Sequence, residues 1–155
     1  MRIWISFPAV LAALSLGMAA AQPADLTGSW HLNVEKSRWG KVVKPLSVVL
    51  TIEHHEPQLD YHGAVQYANE ETREFSFSGS LDGEEYAMSR SFGDGMITLR
   101  RIDPWTVEST FRSSDGRCTE TAQTTIARSG KTLTRRLTVQ SPAGRKSWTE
   151  HYDRR

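Results

Sequence analysis

The stretch Thr132-Leu133-Thr134-Arg135-Arg136-Leu137-Thr138-Val139-Gln140, followed by Pro142-Ala143-Gly144 and then Arg145-Lys146-Ser147-Trp148-Thr149-Glu150-His151-Tyr152-Asp153, decides the fold. Leu133, Arg135, Leu137 and Val139 fall on one side of a two-residue repeat, and Thr132, Thr134 and Thr138 on the other. Successive side chains of a strand point to opposite faces, so this is strand periodicity. Ala143-Gly144 after a proline is turn chemistry, because glycine tolerates positive φ. The stretch reads as two antiparallel strands joined by a tight turn.

The same pattern recurs toward the N-terminus. Candidate strands cover 28–34, 47–54, 58–67, 72–78, 85–92, 96–102, 105–113, 117–127, 132–140 and 145–153, with Val, Ile, Thr and aromatic residues at the apolar positions. Asp82-Gly83, Asp94-Gly95, Asp115-Gly116 and Ser129-Gly130 punctuate them at hairpin spacing, which makes consecutive strands antiparallel neighbours in a meander. An open sheet of so many short strands would expose long edges, and closure removes them. The expected fold is all-β, an antiparallel up-and-down β-barrel of eight to ten strands. A β-sandwich is the alternative, disfavoured because it generally needs long crossover connections. Glu35-Lys36-Ser37-Arg38-Trp39-Gly40 breaks the period and predicts a short helical turn after the first strand, closing one end of the barrel.

The N-terminal residues carry one positive charge, Arg2, then an apolar run over 3–18 that ends in small residues. Ala19 and Ala21 satisfy an A-x-A cleavage rule, so 1–21 is expected to be a cleaved signal peptide and 22–155 a single domain. The run is at the short limit for spanning a bilayer and contains Pro8, which disfavours a membrane anchor. Neither a twin-arginine pair nor a cysteine near the cleavage point is present. The expected product is soluble, exported by a Sec-type route to the periplasm or the medium, with no integral membrane segment in the mature chain. One domain of this length can bury one sizeable core.

The formal charge is +1, and without Arg2 the remaining 18 Lys and Arg match 18 Asp and Glu. Such a balance gives no support for a nucleic-acid partner. The segment 22–88 is acid-rich and 90–155 base-rich, so the two halves attract each other across a closed sheet; a basic surface for anionic lipid is the weaker reading. Cys118 is the single cysteine, so no internal disulfide forms and burial must hold the fold. It alternates with Glu120 and Ala122 as a small, half-buried filler, the alternative being a nucleophile or an intermolecular bridge.

Gly28-Ser29-Trp30 at the start of the first strand, followed by a short turn and a meander, resembles the lipocalin and calycin superfamily, whose first strand carries a Gly-x-Trp signature. The segment from Gly28 to Ser37 is similar to the opening of small exported bacterial lipocalin-like proteins, with Arg101-Ile102-Asp103 and Ser129-Gly130-Lys131-Thr132-Leu133-Thr134 as later points of likeness. The resemblance implies that Trp30 plugs one end of the barrel while Arg154 or Arg155 packs over its ring by cation–π attraction. It assigns Gly28 and Trp30 a structural role, with no part in ligand binding.

The alternation sends an apolar set inward, running from Val48, Leu50 and Ile52 through Phe92 to Trp148 and Tyr152, and with it Arg73, Arg90, Arg101, Arg135, Glu120 and Glu150. Inward charges must be paired, solvated or bound to a ligand, because burying one alone costs several kcal/mol. Four arginines against two glutamates suggest an anionic head group anchored by Arg90 and Arg135, with Tyr61, Phe75, Phe77, Met88 and Trp148 on an apolar tail. The competing reading places these charges at strand ends or in internal ion pairs such as Arg135 with Glu150. The intracellular fatty-acid-binding proteins place Arg-x-Tyr on the final strand to hold a carboxylate, whereas this chain has Glu150-His151-Tyr152, a departure that weighs against a fatty-acid ligand specifically.

Catalysis finds no motif. No Gly-x-Ser-x-Gly, Ser-x-x-Lys or phosphate loop stands in the required context. His54 and His55 point to opposite faces of a strand and share no metal, while His54 across the hairpin from His62 would lack a third ligand; solvated histidines near a turn are expected. No cofactor or metal is expected. The expectation is a monomeric, exported, lipocalin-like binding protein for a small hydrophobic or anionic amphiphilic molecule. The alternative is a filled barrel serving as a non-catalytic structural or interaction module through its Thr121, Thr125, Thr132, Thr134 and Thr138 faces. A calycin-fold enzyme with His or Glu at the barrel mouth is the third reading.

Overall fold

A computed structural model describes residues 20–155. The apolar run and most of the expected signal peptide lie outside the described residues. Ten strands follow in order: β1 (Gly28–Leu32), β2 (Ser47–His55), β3 (Gln58–Gln66), β4 (Thr72–Ser80), β5 (Asp82–Arg90), β6 (Gly95–Asp103), β7 (Thr106–Ser113), β8 (Thr119–Ile126), β9 (Thr132–Ser141) and β10 (Gly144–Arg154). Every strand pairs antiparallel with its sequence neighbour, and β1 also pairs with β10, so the meander closes into a barrel. Closure leaves no free sheet edge.

Turn chemistry sets the hairpins, though at two sites not in the way the dipeptides suggest. Gly116, Gly130 and Gly144 have positive φ in their turns, as expected. Between β5 and β6 the positive φ falls on Gly93, while Asp94 accepts the Arg90 amide through its carboxylate. Asp82-Gly83 lies inside β5, where the pairing with β6 shifts register between Asp82 and Glu85. A glycine with φ of 80° at the extra residue is a common bulge solution.

The segment after β1 is not helical. Val34, Glu35 and Lys36 form a turn, closed by the Ser37 amide on the Val34 carbonyl, and Arg38 then pairs with Thr149 of β10 through two backbone bonds of 2.8 Å. Extended pairing with an existing strand satisfies both backbone groups of Arg38 at once. One isolated helical turn would leave its end groups unpaired.

The core concentrates at one end. Trp30 is fully buried, and Leu26, Leu50, Ile52, Leu133 and Tyr152 are each at most 3% exposed. Burying an aliphatic or aromatic side chain of this kind contributes about 1.5–3 kcal/mol. The Trp30 indole donates to the Leu26 carbonyl at 2.9 Å, so its one polar atom is satisfied. The Arg154 guanidinium lies 4.5 Å from the centre of the Trp30 ring and donates to the Asp25 carbonyl. Arg154, not Arg155, is therefore the residue that caps the tryptophan. Its side chain runs past Gly28, whose φ of 147° and lack of Cβ admit the close approach.

Candidate functional site

The barrel is hollow. A cavity of about 700 Å³ runs from the Trp30 end toward the β1–β2, β3–β4, β5–β6 and β7–β8 connections, which form the opposite rim. Its walls are the inward faces of the strands, and all seven residues proposed from sequence (Tyr61, Phe75, Phe77, Met88, Arg90, Arg135 and Trp148) line it. A barrel packed solid by its aromatic residues is ruled out by this volume. Phe92, expected inside, lies beyond the end of β5 and is 44% exposed at the rim, where it stacks with Arg73 and Arg90.

The aromatic wall has a local cause. Tyr61 and Phe77 are register partners across β3 and β4, with ring centres 5.1 Å apart and planes 10° apart. Phe75 pairs with Gly63, and a Cβ at Gly63 would sit within 2.6 Å of the Phe75 ring. Glycine at that position lets the ring lie flat against the β3 backbone and leaves the space in front of it open. Sequence reading passed over Gly63; aligning the β3–β4 hairpin puts it opposite Phe75 and supplies the signal.

The inward arginines divide into two groups. Arg101 makes a double contact with Glu56 at 2.9 and 2.5 Å near the closed end, and Arg73 donates to Glu71 at 2.6 Å near the rim. The Arg101 guanidinium, with His54 after it, holds the Glu56 carboxyl below the usual range against the opposing effect of burial. Only Arg90 and Arg135 remain inside, against Glu120 and Glu150. Glu56 and Glu71, carboxylates that a count along one face omits, offset Arg101 and Arg73, while Lys44 and Lys146 add positive charge to the cavity lining.

Glu150 is saturated. Its carboxylate accepts from Arg135 at 3.1 Å, from the Tyr152 hydroxyl at 2.7 Å and from the Trp148 indole at 2.8 Å. Burial, and then the Glu150 charge, push the Tyr152 hydroxyl well above its ordinary value, so it stays a donor. Arg90 spends its Nε on the Gly93 carbonyl at 2.7 Å and lies 3.8 Å from the centre of the Phe111 ring. Cys118 borders the cavity in the turn before β8, next to Arg90, rather than filling the core from within a strand.

Three groups that line the cavity from β3, β8 and β9 stand apart. The Tyr61 hydroxyl and the Arg135 Nε are buried without a hydrogen-bond partner. Burial pushes the Tyr61 hydroxyl up to about 12. The Glu120 carboxyl feels Arg135 and Arg90 only at longer range, and burial raises it above the ordinary value of 4.5.

No histidine lines the cavity. His54 is buried, not solvated: its Nδ1 accepts the Leu26 amide at 3.2 Å, which puts the ring proton on Nε2, 2.7 Å from Glu56. His62 pairs with Thr51 and faces outward, so the two do not meet across the hairpin. His54 belongs to the plug because its position in the two-residue repeat matches that of Leu50 and Ile52.

No protein-family model matches the sequence, and no curated protein is detectably similar to it. Among solved structures, the crystal structure of zebrafish ileal bile acid-binding protein complexed with cholic acid matches with a TM-score of 0.56 at 13% identity, over 83% of this chain and 98% of that one. The protein has a calycin-like fold. In this calycin-like barrel the final strand carries Glu150 and Tyr152 inward, and both belong to the saturated network around Arg135.

Proposed function

We propose that the protein is an exported, monomeric, non-catalytic carrier of a small hydrophobic or amphiphilic molecule. The cavity carries this reading. Its volume of about 700 Å³ falls within the roughly 300–1,000 Å³ of small-molecule sites, and its walls combine aromatic rings with a few polar groups. The cholic acid complex of the zebrafish barrel is consistent with an amphiphile inside such a fold. Closure of the sheet supports a monomer, since no edge remains for strand pairing. The apolar run ending in Ala19 and Ala21 supports export.

Delipidated protein titrated with a neutral, environment-sensitive naphthylamine dye tests the reading. Saturable 1:1 binding with a blue shift is expected, together with at least a tenfold loss in Val139→Trp, which places an indole in the cavity. Equal binding by a folded Val139→Trp variant would put the dye elsewhere and defeat the carrier reading.

A further inference from the structure

The floor of the cavity is tied down by a hydrogen bond whose acceptor can itself take up a proton. Leu26, from the segment ahead of β1, lines the cavity at its closed end and is 3% exposed. Its amide donates to the His54 Nδ1 at 3.2 Å. That bond uses the Nδ1 lone pair, so it exists only while the ring is neutral and keeps its proton on Nε2, 2.7 Å from Glu56. A second proton, on Nδ1, sets one N–H against another and leaves the buried Leu26 amide without an acceptor.

The charges around the ring supply a different partner for that proton. The Asp25 Oδ1 stands 3.7 Å from Nδ1 and already accepts the Thr27 amide at 2.8 Å. Bonds from Thr27 hold the Asp25 carboxyl below its usual range, as Arg101 does for Glu56, so both stay anionic between about pH 5 and 8, where imidazoles change charge. Arg101 is engaged with Glu56, and Arg154 with the Asp25 carbonyl. Drawing Asp25 onto Nδ1 also takes the acceptor from the Thr27 amide. Two backbone anchors of the segment are therefore lost together, while those of the Ala24 amide on Pro104 and the Trp30 indole on the Leu26 carbonyl remain.

We propose that protonation of His54 is an acid-triggered switch that loosens Leu26 from the cavity floor and weakens the hold on a bound molecule. The effect on the bound molecule deepens the carrier reading and rests on it; the release of Leu26 does not. His31, His55, His62 and His151 are absent from the cavity lining and make no bond to Leu26.

Amide hydrogen exchange followed by NMR at pH 7.5 and 5.0, corrected for the intrinsic rate at each pH, tests the switch. Protection of the Leu26 and Thr27 amides is expected to fall at least tenfold at pH 5.0, while the amides of β7 and β8 keep theirs. In His54→Gln, whose side-chain oxygen can accept from Leu26 without titrating, the fall should be under twofold. Affinity for the naphthylamine dye should weaken at least threefold over the same pH step in the parent and less than twofold in His54→Gln. Unchanged Leu26 protection in the parent overturns the proposal without need of the variant, and so does a fall that persists in His54→Gln. A tenfold fall in protection with unchanged dye affinity overturns the link to ligand retention and leaves the carrier reading standing. A dye that fails to bind even at pH 7.5 defeats the carrier reading, and the Leu26 amide then decides the switch by itself.

Discussion

The two ends of the cavity are built from the same residue types and differ in how completely their polar atoms are paired. At the closed end the Trp30 indole, both His54 nitrogens, the Arg101 guanidinium and the Arg154 guanidinium each meet a protein partner. Midway along the cavity Glu150 is equally well served, yet Tyr61 and the Arg135 Nε beside it are not. The first arrangement is what a structural plug requires, because unpaired buried groups would subtract from stability. The second leaves buried polar atoms unpaired among the residues that line the cavity. In a fold that hosts many functions, this difference in pairing separates scaffold from site more sharply than residue type does.

The comparison predicts that damage at the plug is read as stability. Trp30→Ala should have the largest effect, a loss of about 3–5 kcal/mol in urea unfolding, typical of a large aromatic removed from a core. A loss under about 1 kcal/mol would mean the plug is dispensable. Glu150→Gln should follow, at about 3 kcal/mol, since it leaves Arg135 as a buried charge without its partner. Should it instead prove neutral, the network around Arg135 is solvated rather than dry.

Glu120 should behave in the opposite sense. Burial raises its carboxyl in the folded state, so the fold favours the protonated form. The stability this group contributes is present below about pH 4.5 and is lost as pH rises through the folded value. Glu120→Gln should therefore melt higher than the parent at pH 7.5, with the gap closing toward pH 4. A variant less stable than the parent at pH 7.5 would show that the attraction of Arg90 and Arg135 outweighs burial. The smallest expected change is for Arg154→Met, about 0.5–1 kcal/mol for a cation over an aromatic face, with dye binding intact. Loss of dye binding in that variant would erase the division between plug and cavity.

The strands were legible because alternation and turn chemistry are local. Each of the ten expected strands is present, and the positions of Leu50, Ile52, Leu133 and Tyr152 in the two-residue repeat place them inside without knowledge of any partner. All seven proposed cavity residues were reachable by the same rule. The segment after β1 was not, since its conformation follows from Arg38 pairing with Thr149, more than a hundred residues away. Neither was the fate of the charges. Glu56 sits at a turn, outside any alternating face, and neutralises Arg101 from 45 residues away.

The sequence by itself determined that the chain is a closed meander of short strands, which residues face inward, and that Trp30 lies at one end. Backbone geometry enforces a period of two wherever a strand forms, so one chain segment suffices to read it. Tertiary structure alone decided that Arg154 covers the tryptophan, that Glu150 rather than a ligand neutralises Arg135, and that the interior is open. Ion pairs and enclosed volume depend on the register of all ten strands at once, and closure sets that register by joining β1 to β10.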